Sequence, residues 1–217
     1  MALDSSSGHW IHRHVLVLRF ALLNIVAAGL LVSVYLQGWL DGAFLGYTGW
    51  LTLGICSVFL FGLLLCAVCI WRTNGELVSA GEAEPPGVSR AGGYLASVTG
   101  RSAESRSIMA NLLRNRLGNQ IVVVRQTADS LVFLGLVGTV IGFIVALSGV
   151  DPQSSAQVEE VASMVATLVS GMSIALYTTL VGAVLHVWLM VNHRLLASGT
   201  SNLFNAIVEL GEQRVGV

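Results

Sequence analysis

Lysine is absent from the 217 residues, and only 11% of them are charged. A water-soluble domain carries about 25% charged residues, so the deficit excludes an ordinary soluble fold. Proline occurs only as Pro85, Pro86 and Pro152, outside every long apolar run. No span is therefore broken by proline, and no inverted repeat is visible, which argues against a secondary transporter with midplane binding groups. The three cysteines, Cys56, Cys66 and Cys69, share one apolar run. Cys66-x-x-Cys69 has the spacing of half a zinc or redox motif, but no second ligand pair accompanies it. All three are read as small apolar filler. With no His/Asp/Glu/Cys constellation, the chain is expected to be neither a metalloprotein nor an enzyme, to need no cofactor, and to bind no nucleic acid.

What fills the sequence instead is apolar: 54% of the residues are hydrophobic. Four long runs stand out, at 20–36, 51–71, 131–147 and 166–191. A helix needs about 17–25 such residues to cross a hydrocarbon core about 30 Å thick. In lipid the backbone must satisfy its own hydrogen bonds, so each run is expected to be helical. The expected fold class is all-α: a polytopic membrane protein with four transmembrane helices and long cytoplasmic helical extensions. The first run follows Arg13 and Arg19 as a signal peptide would, but it is long for a signal core and no small-x-small cleavage site follows. It is read as a retained helix.

Arginine supplies all 11 basic residues, and its placement is one-sided. Arg13 and Arg19 precede the first run; Arg72, Arg90, Arg101, Arg106, Arg114, Arg116 and Arg125 lie between the second and third; Arg194 and Arg214 follow the fourth. The other two connections hold Asp41, Asp151, Glu159 and Glu160 and no arginine. The positive-inside rule then places both termini and the middle loop in the cytoplasm. Trp39, Trp50, Trp71 and Trp188 lie near the ends of the runs, where amphipathic rings anchor at the interface.

Four segments follow. Residues 1–72 hold the N-terminal segment and the first two spans; 73–130 form a cytoplasmic loop; 131–192 hold the third and fourth spans; 193–217 form a cytoplasmic C-terminal helix. The loop divides again. From Asn74 to Gly100 it includes GEAEPPGVSRAGG and reads as a flexible connector. Beyond Ala103, Ile108, Met109, Leu112, Leu113, Leu117 and Ile121 recur at helical spacing, which predicts one long helix running into the third span. Gly118 is expected to weaken it locally. In the tail, Leu195, Leu196, Leu203, Phe204, Ile207, Val208 and Leu210 form an apolar stripe that should pack on the loop helix or on a neighbouring subunit.

The third and fourth runs carry the chemistry. LGLVGTVIGF (134–143) sets Thr139 among Gly135, Gly138 and Gly142; ALYTTLVGAV (175–184) sets Thr178 and Thr179 between Ala175 and Gly182, with Gly171 a turn earlier. Such stripes of small residues let helix backbones approach closely. At 1.5 Å per residue, Thr139 lies about 12 Å and Thr179 about 18 Å from the inner ends of their runs. Thr139, Thr178 and Thr179 are thus candidates for an ion path at broadly similar depth. A membrane threonine also bonds its own backbone without further role, and composition fits packing and pore lining equally. Neither run holds Asp, Glu, Lys or Arg. His186 is read as a packing histidine or a relay at the pore exit. Asp129, just before the third run, is read as a solvated helix charge or a collar residue that attracts protons or a partner's arginine.

GLVGTVIGF resembles the third-helix signature GLxGTVxG of the MotA/TolQ/ExbB proton-channel family. GMSIALYTTLVGAV, from Gly171, resembles that family's last-helix pattern GIAEALxxTxxGL. By this resemblance Thr139 and Thr179 fall on the family's two threonines; Gly135, Gly138 and Gly142 match the glycines of the first motif, and Gly171 and Gly182 those of the second. The glutamate of the TolQ/ExbB form is Ile174 here, Thr178 stands where alanine or glycine is common, and the prolines of the Mot branch are missing. The resemblance implies a subunit of an ion-driven motor in the bacterial inner membrane. It also implies a homopentamer around about two copies of a single-span ExbD/TolR/MotB-like partner whose aspartate carries H⁺ or Na⁺. The alternative class is a tetraspan scaffold or assembly factor without ion conduction.

Overall fold

The structure is a computed structural model of the chain, and it describes residues 7–37, 49–80, 103–149 and 158–215. Four helices account for nearly all of them: α1 (Ser7–Leu36), α2 (Gly49–Ala80), α3 (Ala103–Ser148) and α4 (Val158–Val215). No strand occurs among the described residues. Each helix contains a stretch long and apolar enough to cross a membrane. The protein is an all-α polytopic membrane protein.

Two lengths differ from the sequence reading. α2 runs past Trp71 to Ala80, so the first residues of the expected connector are helical; they contain no proline, and Thr73 is buried there at 8% exposure. The rest of the connector, 81–102, lies outside the described residues, as does Trp39. The tail is not a separate helix: α4 continues unbroken for 58 residues through the fourth span and the C-terminal stripe. α3 likewise passes through Gly118 without interruption over its 46 residues. A single glycine costs about 1 kcal/mol in a helix interior, which the packing of Leu117 beside it outweighs.

The chain divides into two compact units. The first comprises Met1–Ile25, Leu63–Arg125 and Val191–Val217. Its heart is a cluster of Leu113 and Leu117 on α3 with Leu203 and Ile207 on α4, flanked by Met109, Ala110, Phe204, Val208 and Leu210. The pairs are spaced four apart on each helix, so one ridge of α3 meets one ridge of α4. The apolar tail stripe therefore packs on the loop helix of the same chain. Ile108 and Leu112, also counted in the α3 stripe, are exposed.

In this unit α1 docks on α4 at two points. Leu16 fills the notch left by Gly199, where an added Cβ would sit 2.7 Å from Leu16 Cδ2. Two turns further along, Asn24 Nδ2 donates to Asn192 Oδ1 at 2.9 Å, and Asn192 Nδ2 donates back to Asn24 Oδ1 at 3.4 Å. Asn24 also donates to the Phe20 carbonyl at 2.8 Å. Asn192 is fully buried, whereas no residue of the Leu16–Ser33 span is. The amide pair is thus a main attachment of a helix with little buried surface, and interhelical polar contacts in membranes contribute about 0.6–2 kcal/mol. Asn192→Leu should lower the detergent melting temperature by removing it. Adding Asn24→Leu should then cost little more, because the amide left behind no longer needs a partner; a double-mutant cycle by thermal melting measures this.

The second unit comprises Val26–Gly62 and Gln126–Met190. Its core draws Thr52, Ile55 and Phe59 from α2, Ala128, Leu131 and Ala146 from α3, and Ala175, Thr178, Leu185 and Leu189 from α4. Phe59 and Trp188 meet at 5.0 Å with their rings tilted by 53°, so Trp188 is an intramolecular contact as well as an aromatic near a span end. Trp50 and Trp71 are exposed, as interfacial anchors should be.

Candidate functional site: the seam between α3 and α4

The second unit is organised around close antiparallel contact of α3 and α4, and the small residues make that contact possible. A Cβ added at Gly142 would lie 2.6 Å from the Ala175 nitrogen and 2.7 Å from the Gly171 carbonyl oxygen. At Gly171 it would run into the backbone of Ala146, and at Gly182 it would lie 2.8 Å from the Leu131 carbonyl oxygen. In each case the neighbour is backbone, which cannot move aside as a side chain can. Gly135 faces Thr178 and Thr179, and Gly138 faces the Thr178 side chain. The matched pairs keep one register from Gly171–Ala146 to Gly182–Leu131, so the seam is continuous.

The three threonines occupy different places on it. Thr178 is buried at 2% exposure and sits in the seam against Gly138. Its hydroxyl donates within its own helix, to Ile174 O at 3.0 Å and Ala175 O at 3.1 Å. The structure thus separates Thr178 from the other two candidates: it fills the seam rather than lining an edge. Thr179 lies at the margin, exposed, and donates across the seam to the Gly135 carbonyl at 3.3 Å. Thr139, one turn beyond Gly135, donates to Leu136 O of its own helix at 2.5 Å.

Helical geometry places Thr139 and Thr179 together. Each follows a seam residue (Gly138 or Thr178) by one position, about 100° around its helix. In two antiparallel helices the same sense of rotation leads to the same side of the pair. Both hydroxyls therefore share one flank of the seam. His186 follows Thr179 by seven residues, nearly two whole turns, and returns to that flank. Its Nδ1 lies 2.8 Å from the Ala128 carbonyl oxygen of α3. A carbonyl only accepts, so Nδ1 carries the hydrogen and donates it. The flank is bordered by exposed Leu136, Phe143, Met172 and Leu176.

α2 packs on the other flank. Gly62 meets Thr127 and Leu189, Leu51 approaches Gly138, and Phe59 meets Trp188. Thr127 and Trp188 are rotated from the seam in the sense opposite to Thr139 and Thr179. Tyr177, half-buried, also belongs to that far side. Among the described residues, one side of the α3–α4 pair is thus closed by the chain's own second helix, while the side with Thr139, Thr179 and His186 is not. Asp129, half-buried, follows Ala128 on α3. Among the described residues no group of three or more His, Cys, Asp or Glu side chains is placed to hold a metal ion.

Sequence reasoning found the glycines and threonines but not the Asn24–Asn192 pair or the His186–Ala128 contact. The first had a signal in Asn24, a lone amide inside the first apolar run. The second had none, because its acceptor is a backbone carbonyl.

Four helices long and apolar enough to cross a membrane, two of them joined along a small-residue seam, define a polytopic helical membrane protein. The sequence pattern of the MotA/TolQ/ExbB proton channel family matches residues 95–209, more than half of the chain. The protein belongs to that family. No curated protein and no solved structure matches it.

Proposed function

We propose that the chain is the pore-forming, stator-type subunit of a proton- or Na⁺-driven motor of the bacterial inner membrane. It assembles as a homopentamer around about two copies of a single-span partner, of the ExbD/TolR/MotB kind, that brings the titratable aspartate. Both termini and the 73–130 loop face the cytoplasm, as the arginines require. One observation carries this reading: among the described residues the flank with Thr139 and Thr179 is left uncovered, with Leu136, Phe143, Met172 and Leu176 exposed along it, and α3 holds no acidic side chain from Ser130 to its outer end. A carboxylate inside a membrane usually marks the ion pathway; here that acid has to come from another chain.

The hydroxyls suit such a visitor in both of its states. While they donate to Leu136 O and Gly135 O, their oxygens present lone pairs, and a protonated acid donates to these. When the acid loses its proton, the hydroxyls turn and donate to the carboxylate in charge-assisted bonds, which are about twice as strong as neutral ones. Protonation from one side and release to the other would then alternately loosen and tighten the partner's hold, stepping the subunits past it. Gly135, Gly138, Gly142, Gly171, Ala175, Gly182 and Thr178 keep α3 and α4 close enough for the two hydroxyls to act together.

The test is reconstitution into liposomes with a pH-sensitive dye inside and an imposed potential. Protein and single-span partner together should pass protons; either alone should not, nor should the pair when the partner's aspartate is replaced by asparagine. Equal leakage with and without the partner would overturn the proposal, and a complex that assembles but never conducts would favour the scaffold reading.

A further inference from the structure

Among the described residues of its unit, His186 is the one imidazole; it stands on the uncovered flank, two turns along α4 from Thr179 and about 10 Å from it at 1.5 Å per residue. Its placement is restricted: Nδ1–H is held by the Ala128 carbonyl at 2.8 Å, across the seam. That bond fixes the tautomer, leaving the lone pair of the neutral ring on Nε2. The ring is only half-buried. Among the described side chains of its unit, the other ionisable ones are Asp129 on α3, Cys56 on α2 and Tyr177 on the far flank of α4. Arg125 lies one turn before Asp129 on α3. The ring stands in line with the two hydroxyls, towards the arginine-rich end of the helix.

We propose that His186 is the proton-exit residue of the path, taking the proton that the partner's acid releases and passing it to water on the arginine-rich side. This rests on the channel reading above. The step balances at one atom. The carboxylic acid, directly or through water, gives its proton to Nε2 and becomes a carboxylate; the ring becomes an imidazolium with both nitrogens protonated. Nε2 then loses that same proton to water, and Nδ1 keeps its hydrogen on Ala128 O throughout. The site would be selective for H⁺ over Na⁺, since an imidazole carrying hydrogen on Nδ1 relays a proton but offers an alkali cation only one nitrogen.

The experiment uses the complete complex with its single-span partner in liposomes, comparing wild type, His186→Gln and His186→Ala from pH 5 to 8. Glutamine keeps an N–H for Ala128 O but cannot take up a proton. His186→Gln should assemble normally and pass protons about 100-fold more slowly, as expected when a proton-transfer group is removed. Imidazole supplied on the cytoplasmic side should restore part of the flux in His186→Ala. If His186→Gln conducts like wild type across that range, the histidine only joins α3 to α4 and the proposal is wrong, while the channel reading stands. If the wild-type complex itself passes no protons, the channel reading fails and takes this inference with it.

Discussion

Replacing Thr139 and Thr179 together by valine should abolish ion-driven function while leaving the folded chain and its oligomer intact. Valine matches threonine in shape, and both positions lie at the margin of the seam rather than inside it. Thr139 loses only a bond within its own turn, to Leu136 O, and Thr179 a long one, to Gly135 O at 3.3 Å. The stability cost should thus be small, about 1 kcal/mol or less for each hydrogen bond. What disappears is the ability to bind a carboxylate. A hydrogen bond to a charged group is worth about 1.5–3 kcal/mol, so losing two weakens the hold on the charged partner by about a hundredfold or more, at about 1.4 kcal/mol per tenfold. Each single variant should retain measurable flux. Thr178→Val is the informative contrast. Its hydroxyl bonds only to Ile174 O and Ala175 O and sits against Gly138, so it should affect stability more than flux. Proton flux in liposomes, read beside the melting temperature of the complex, checks all four proteins. Normal flux in the double variant would mean that the threonines are packing residues.

The membrane class was legible because its signals are collective. A run of 20 apolar residues has few alternatives in lipid. The arrangement within the seam was legible in part, because glycine and alanine at steps of three and four let helix backbones approach closely. Which neighbouring threonine faces outward was not. Thr178 and Thr179 are adjacent and chemically identical, and the difference between a seam residue and a flank residue is one step of 100°, fixed by how α3 meets α4. The lengths of α2 and α4 were also beyond reach, since no proline or cap marks the end of a helix where apolar sequence gives way to polar. The Ala128 carbonyl that anchors His186 left no trace in side-chain pattern at all.

Gly142→Ala and Gly171→Ala should be the most damaging single-methyl changes in the protein. At Gly142 the new carbon would stand 2.6 Å from the Ala175 nitrogen, and at Gly171 it would stand 2.5 Å from the Ala146 Cα. Contact between carbon atoms is comfortable at about 3.5–4 Å, so the helices must separate by most of an ångström along a seam held by close packing. Overpacking of this kind costs about 1–3 kcal/mol, against at most about 1 kcal/mol gained from alanine's better helix propensity. Gly54→Ala and Gly118→Ala provide the control, since an added Cβ meets nothing within 4 Å at either position; there the propensity gain stands alone and melting temperature should rise or hold. The seam variants should melt earlier and lose flux in step with the separation, because Thr179 reaches Gly135 O only while the backbones touch. The decisive comparison is between the two pairs of glycines, which differ in surroundings and not in chemistry. If Gly142→Ala and Gly54→Ala melt alike, α3 and α4 do not meet where their small residues place them, and the shared flank of Thr139, Thr179 and His186 goes with that contact.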